Sequence, residues 1–310
     1  MSLVPHDTAH PEPGPPSVAD DDVTDFLDVR PQLFGIAYRM LGSVEEAEDV
    51  VQDAWIRWQN TDRRGVQNPA AFLTTTTTRL AINAATSARA RRETYVGPWL
   101  PEPVDTSADP LLGAVRAEAL DAAVLVLLER LTPTERAAYV LREAFDYSYR
   151  RVGEVLDVTE AHARQLVRRA RTALGSGRRA PADPARRREL VTAFLAAARA
   201  GSVADLERLL ADDVHARSDG GGVVHAAKVE IVGHDRVVTL LDNVMRKYWS
   251  DVLFSEVEVN GGTGVLVHRA DGEVGALVLL ETSDRGIEQL MLVLNPEKLS
   301  RHGRTADVTA

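Results

Sequence analysis

Cysteine is absent from the 310 residues. Neither a disulfide nor a thiolate zinc site can form, and a reducing, cytoplasmic setting is expected. No apolar run approaches the length that spans a bilayer. The opening stretch, MSLVPHDTAHPEPGPPSVADDD, lacks both a basic start and an apolar core, so a secretory signal is not expected. Internal repeats are missing, as is any H-x-x-x-H or comparable ligand set for a metal. An overall positive charge is missing too. The formal net charge is −10, which argues against a polyanionic partner until its distribution is considered.

The distribution reverses that first impression. Residues 1–25 carry six acids and neither Lys nor Arg, residues 26–188 carry 24 bases and 21 acids, and residues 189–310 carry 12 bases and 19 acids. The middle of the chain is therefore the nucleic-acid candidate, flanked by acidic segments. Between Arg164 and Arg179 lie six arginines and no acid, a cluster able to neutralise phosphates whatever the total charge. With 45% hydrophobic residues the chain can bury real cores, and its length allows two or three domains.

Residues 131–174 read as three short helices. Thr132, Pro133 and Glu135 form a helix start with a capping box. A second helix is expected from about Tyr149 to Leu156. Asp157-Val158-Thr159 makes a tight connection, and Thr159 can cap the third helix. On that helix Ala163, Leu166, Val167, Ala170 and Leu174 recur at core-facing spacing, leaving Arg164, Gln165, Arg168 and Arg171 on the free face. Two helices, a short turn and a basic second helix predict a helix-turn-helix, whose recognition helix enters a major groove. Arg suits guanine and Gln suits adenine; a solvated face on an ordinary bundle is the alternative.

Upstream, residues 1–24 have the composition of a disordered acidic tail. From about residue 25 to 93 the pattern is helical. One apolar stripe holds Val29, Leu33, Ile36, Ala37 and Met40; a second holds Ala47, Val50, Val51, Ala54, Trp55 and Trp58. Asn68-Pro69 starts a third helix, whose five consecutive threonines need tertiary contacts because threonine is a poor helix former. Tyr95 to Pro110 holds four prolines and predicts an extended linker. A helix from about Leu111 to Glu129 follows. Gly175 to Arg188 predicts a second linker. The last part predicts a helix with Phe194, Leu195 and Ala198, followed by strand-like runs at Val223–His225, Val257–Val259, Gly264–His268, Val274–Leu280 and Leu290–Leu294. Gly261-Gly262 and Asp271-Gly272 predict turns, and the whole an α+β domain.

Three stretches in this order carry a family resemblance: AYRMLGSVEEAEDVVQDAWIRW, then PAAFLTTTTTRLAINAATSARARRETYVGPWLPEPV, then the helix-turn-helix. Over residues 26–299 the chain resembles a bacterial extracytoplasmic-function sigma factor, more narrowly the subgroup with a SnoaL-like C-terminal extension. The resemblance implies a multidomain fold: two all-α sigma domains and a cone-shaped α+β domain. The implied layout is region 2 at 25–95, a Trp-Leu-Pro-Glu-Pro linker at 96–110 and region 4 at 111–178. A linker at 179–188, the SnoaL-like domain at 189–299 and a tail at 300–310 complete it.

The resemblance also implies roles. Asp49, Gln52 and Asp53 would meet the β′ clamp of core RNA polymerase, and the β flap would be a second polymerase contact. Phe72, Thr76, Arg79, Asn83, Arg89, Arg91 and Arg92 would open and hold the minus-ten element of promoter DNA. That task needs cations for phosphates and small polar or aromatic groups for a splayed base. Phe72 stands where the family usually has Trp, and Asn83 where it commonly has Asp. His162, Arg164, Gln165, Arg168, Arg169 and Arg171 would bind the minus-thirty-five element. In the extension, Asp219, Gly220, Gly221 and Gly222 match a D-G-G-G-K element, with Val223 in place of its lysine. Asn295, Pro296, Glu297, Lys298 and Leu299 match N-P-D-K-L. These, with Trp99, Leu100 and Pro101, would regulate the sigma regions in cis. Neither a metal nor a cofactor is implied. Cyclase- or isomerase-like chemistry in the cone, using His215, Asp219, His225, His234, Asp235, His268 or Asp271, and non-catalytic sensing of a small molecule are the alternatives.

Overall fold

The computed structural model describes residues 18–106, 121–175 and 182–302, with side chains from residue 23 onward. Most of the acidic tail, residues 107–110 of the first linker, residues 111–120 of the helix expected next, residues 176–181 of the second linker and the tail beyond 302 lie outside this description.

Three helices open the chain: α1 (Val18–Leu41), α2 (Val44–Gln59) and α3 (Pro69–Glu93). Gly42, at φ +66°, turns the chain between α1 and α2, and the Ser43 side chain caps α2. Asn68 caps α3 with Pro69 in its first turn. The threonine run is held as anticipated: Thr74, Thr77 and Thr78 are buried, and the Thr78 hydroxyl donates back to the Thr74 carbonyl (2.8 Å). Beyond the first linker come α4 (Ala122–Leu128), α5 (Pro133–Glu143), α6 (Tyr149–Leu156) and α7 (Glu160–Gly175). The capping box at Thr132 and Glu135 forms, Asp157 takes the left-handed conformation, and the Thr159 hydroxyl accepts from the His162 amide. Leu33, Ile36, Trp58 and Leu73 share one continuous core with Leu125, Leu141, Val152 and Leu166. The two helical regions are therefore packed on each other.

The last part is α+β. Helices α8 (Pro184–Ala200) and α9 (Val203–Glu207) precede β1 (Leu210–Asp219) and β2 (Ile231–Val232). Next come α10 (His234–Tyr248) and the strands β3 (Leu253–Val259), β4 (Gly262–His268), β5 (Val274–Ser283) and β6 (Gly286–Val293). A short α11 (Pro296–Leu299) closes the fold. The sheet order is β2-β1-β6-β5-β4-β3, parallel only between β1 and β6. Its inner face packs on α8 and α10 through Phe194, Val214, Leu241 and Leu290. Its outer face, with Leu266, Leu277, Leu279 and Met291, is covered by Leu100 of the linker and by Ala122 and Val126 of α4.

Three expectations need correction. The second linker is shorter than expected, because the Asp183 carboxylate caps a helix that starts at Pro184. Residues 223–225 are not a strand: the Gly220 carbonyl accepts from the Val223 and Val224 amides, and this tight turn leaves Val223 without a ladder partner and 76% exposed. Helix α10 was not expected: it starts directly after the Gly233 turn, and its buried residues Val237, Leu241 and Met245 recur at helical spacing.

Candidate nucleic-acid interface and interdomain hub

On α2 the apolar stripe Val50, Val51, Ala54 and Trp58 is buried, so Asp49, Gln52 and Asp53 are presented to solvent. Among the described residues, no part of the C-terminal sheet domain covers them. On α7 the buried set is the expected one, and His162, Arg164, Gln165, Arg168, Arg169 and Arg171 are all exposed. Several are held by neighbours. Arg164 pairs with Glu160 at 2.9 Å and lies over the Tyr149 ring; Arg169 pairs with Glu135 at 3.2 Å and Arg171 with Glu143 at 2.7 Å. Exposed pairs of this kind are worth little and exchange readily for a phosphate.

The α3 candidates divide. Asn83 and Arg89 are exposed, and Thr76 is half-buried. Phe72 packs on Trp58 with ring centroids 5.6 Å apart. Arg79 donates to the Val155 carbonyl on α6 at 3.2 Å, so a minus-ten candidate touches the helix-turn-helix directly. Arg91 is paired with Glu46. Arg92 departs from the sequence expectation in this arrangement: it bonds Glu129 and the Leu41 carbonyl, and its guanidinium stacks 3.6 Å from the Trp99 ring centroid. Glu129 also binds Arg136, a buried cation that donates to the Arg39 carbonyl at 2.8 Å. Burial raises the Glu129 pKa, but Arg136 and Arg92 together hold it below the ordinary value. Tyr147 joins the regions at the other end, accepting from Gln32 (2.8 Å) and hydrogen-bonding Thr74 (3.3 Å).

The linker meets the C-terminal domain at a polar hub. Alternation along β1 sends Val214, Ala216 and Ser218 inward and Asp219 outward, fully buried under the linker. The Asp219 carboxylate accepts from the Tyr95 hydroxyl (2.6 Å), the Leu100 amide (2.9 Å), the Gly221 amide (3.1 Å) and the Lys298 ammonium (2.7 Å). Lys298 also donates to the Leu100 carbonyl and lies 4.5 Å from the Trp99 ring centroid. Burial depresses its pKa, opposed by Asp219. Asn295 donates to the Tyr95 oxygen (3.2 Å) and caps α11. Gly221 sits at φ +63°, and a Cβ there would meet the Asn295 amide at 2.5 Å, which explains a glycine at this point. Val223 is solvent-exposed, and the cation in this cluster is Lys298.

A second cluster was not foreseen. Asn260, at φ +53° in the β3–β4 turn, donates to the Tyr38 hydroxyl (2.8 Å), and its side chain accepts from the Val104 amide (3.1 Å). Tyr38 in turn donates to the Glu102 carbonyl (2.7 Å). The Glu102 carboxylate accepts from the Val44 amide at the start of α2 (2.7 Å) and pairs with Arg301 (2.9 Å). The linker is thus bonded to α1, α2 and the sheet domain at once.

Of the acid–base candidates, only His225 lines the cavity above the sheet's inner face. His215 pairs with Glu230, His234 neighbours Asp235, and His268 bonds the Ser255 hydroxyl at 2.7 Å. Asp271 lies in the β4–β5 turn and accepts from the Glu273 amide. Among the described residues no cluster of three His, Asp or Glu is arranged to hold a metal, and no helix is long and apolar enough to cross a membrane.

Comparison with known proteins agrees with this geometry. Residues 26–91 match Sigma-70 region 2, and residues 121–174 match Sigma-70, region 4. The chain is 36% identical over 296 residues to the ECF RNA polymerase sigma factor SigJ of Mycobacterium tuberculosis, covering 90% of this chain and 93% of that protein. It is 32% identical over 213 residues to the probable ECF RNA polymerase sigma factor SigI of the same species, covering 67% and 71%. The crystal structure of the M. tuberculosis extracytoplasmic function sigma factor SigJ aligns with a TM-score of 0.73 at 35% identity, covering 90% of this chain and 98% of that one.

Proposed function

The chain belongs to the extracytoplasmic-function RNA polymerase sigma factors, and on that premise we propose how its parts serve transcription initiation in the cytoplasm. Asp49, Gln52 and Asp53 bind the β′ clamp of core polymerase. Region 4 sits near the β flap and reads the minus-thirty-five element with α7. The α3 face carrying Thr76, Arg79, Asn83 and Arg89 holds the melted minus-ten element. The C-terminal domain acts as a regulator in cis: it grips the linker through Asp219, Lys298 and Asn260, and so sets how freely regions 2 and 4 move apart.

One observation carries the regulatory reading: the two promoter-reading regions share a core and touch through Arg79 and Val155. Two elements whose names place them 25 base pairs apart are separated by about 85 Å on straight DNA, at 3.4 Å per pair. Regions in contact cannot occupy both. The packed arrangement is therefore a closed state that opens on the polymerase, and the linker hub biases that equilibrium. The exposure of the acidic α2 face fits the same scheme, since the clamp can engage before opening.

The absence of native cysteine makes the test direct. Dyes on Thr86→Cys in α3 and Thr172→Cys in α7, both exposed sites, report the separation of the regions. Binding to core polymerase and promoter should lengthen the distance by tens of ångströms, on the scale set by the element spacing. An unchanged distance in an initiating complex sinks the closed-state reading. Purified core that initiates from no promoter in a genomic library when given this protein sinks the assignment of initiation itself.

A further inference from the structure

Above the inner face of the sheet lies a cavity of about 610 Å³, a volume typical of small-molecule sites. Its floor is apolar apart from one hydroxyl: Ser218 of β1, Leu292 of β6, Ala276 of β5 and Val267 of β4. Its wall is α10, which is apolar on two sides. Val237, Leu241 and Met245 are buried in protein, whereas Leu240 and Val244 face the cavity. A helix that leaves a second apolar stripe facing empty space has room for an apolar guest.

The polar groups around this space give the guest a charge. Lys247 and Arg269 are both exposed lining residues, and neither has an ion-pair partner among the described residues. His225 adds a third donor, and Asp251 is the single lining acid. An apolar interior with unpaired cations at the exposed edge suits a molecule with a hydrophobic body and one carboxylate, which Arg and Lys bind by charge-assisted hydrogen bonds.

We propose that this cavity binds an apolar carboxylic acid, its hydrocarbon body on the Val267, Ala276 and Leu292 floor and its carboxylate paired with Lys247 and Arg269. The site also communicates with the linker. Residues 224–227 line the cavity on one side. On the other side the same loop touches the linker: a Cβ on Gly97 would lie 3.4 Å from the Ala227 carbonyl oxygen, and a Cβ on Gly222 would lie 3.4 Å from the Val96 side chain. An occupied cavity stiffens this loop and so tightens the grip on residues 95–100. This second step rests on the linker-hub reading given above; the binding site does not.

Calorimetric titration of the full chain with octanoate, decanoate and laurate, each beside its methyl ester, tests the site. Saturable one-to-one binding is expected, with the acid at least tenfold tighter than its ester. Lys247→Ala/Arg269→Ala, at exposed positions that leave the core intact, should erase that preference. Ala276→Trp should fill the floor and abolish binding. No saturable binding by any of the three acids, equal affinities for acid and ester, or an acid preference that survives the double variant overturns the ligand site and leaves the hub reading standing. Hydrogen exchange then tests the coupling. Bound laurate should slow exchange of the Leu100 amide at least threefold, and unchanged exchange with binding intact overturns the link to the hub.

Discussion

Asp219 is the residue on which most of the interdomain geometry converges, and it accepts four donors from four places in the chain. A buried carboxylate in that position is stable only while its donors remain, because an unpaired buried charge is far more costly than an unpaired neutral group. The two members of the ion pair should therefore respond unequally to truncation. Lys298→Met removes one donor and leaves the carboxylate with the Tyr95, Leu100 and Gly221 bonds. Asp219→Ala strands Lys298, which is mostly buried, together with the Leu100 amide and the Tyr95 hydroxyl. Breaking a buried pair costs about 3–5 kcal/mol, with Lys298→Met expected at the lower end and Asp219→Ala at the upper. Urea denaturation of both variants measures this; a larger loss for Lys298→Met would mean that the other three donors do not hold the carboxylate.

At the scale of elements, the helical part was legible because each signal there is local. The capping box at Thr132, the buried stripe on α7 and the Asn68-Pro69 start are all encoded within a turn or two of the helix they describe. The same local pattern predicts function on α7, whose exposed arginines are free to leave their acidic neighbours. Arg168 has no ion pair among the described residues and faces solvent at the middle of that helix. Arg168→Ala should weaken promoter binding by about 1–3 kcal/mol if it reads a base, with relaxed preference at one position. Uniform weakening across sequences in a binding-site selection would make it a phosphate contact instead. What stayed hidden was non-local. Asn260 meets Tyr38 across 222 residues, and neither lies in a periodic pattern that points to the other. The inward turn of Arg92 was hidden likewise, because a terminal helix arginine looks the same whether it faces a phosphate or a glutamate on α4's far end. β1 and α10 were likewise not legible: each abuts a glycine turn, at 220–222 and at 233, and the buried residues of both meet partners distant in the sequence.

Across the whole molecule, several titratable groups shifted by burial and by charged neighbours share one response to acid. Burial holds the imidazoles of His268 and His302 below the ordinary histidine value, the latter against the pull of Asp105 and Glu102. A base depressed by folding takes up its proton more readily once unfolded. Its contribution is complete above the unfolded pKa of about 6.5 and is lost as pH falls toward the folded value. The carboxylates act in a lower window with the same sign. Burial raises Glu129 and Glu230, but Arg136 and Arg92 in the first case, and Arg217 and His215 in the second, bring each below the usual value. Their stabilisation is present above the unfolded carboxylate pKa and disappears as pH drops through the folded one. The urea midpoint should therefore fall in two stages between pH 8 and pH 3, the first below about 6.5 and the second below about 4.3. Glu129 bridges Arg92 of region 2 and Arg136 of region 4, so the lower stage should also loosen the contact between regions. Glu129→Gln should lower stability at neutral pH and flatten that lower stage while leaving the upper one unchanged. A midpoint that rises on acidification from pH 7 to 5, or a Glu129→Gln profile parallel to the parent throughout, would show that these groups do not set the acid response of stability.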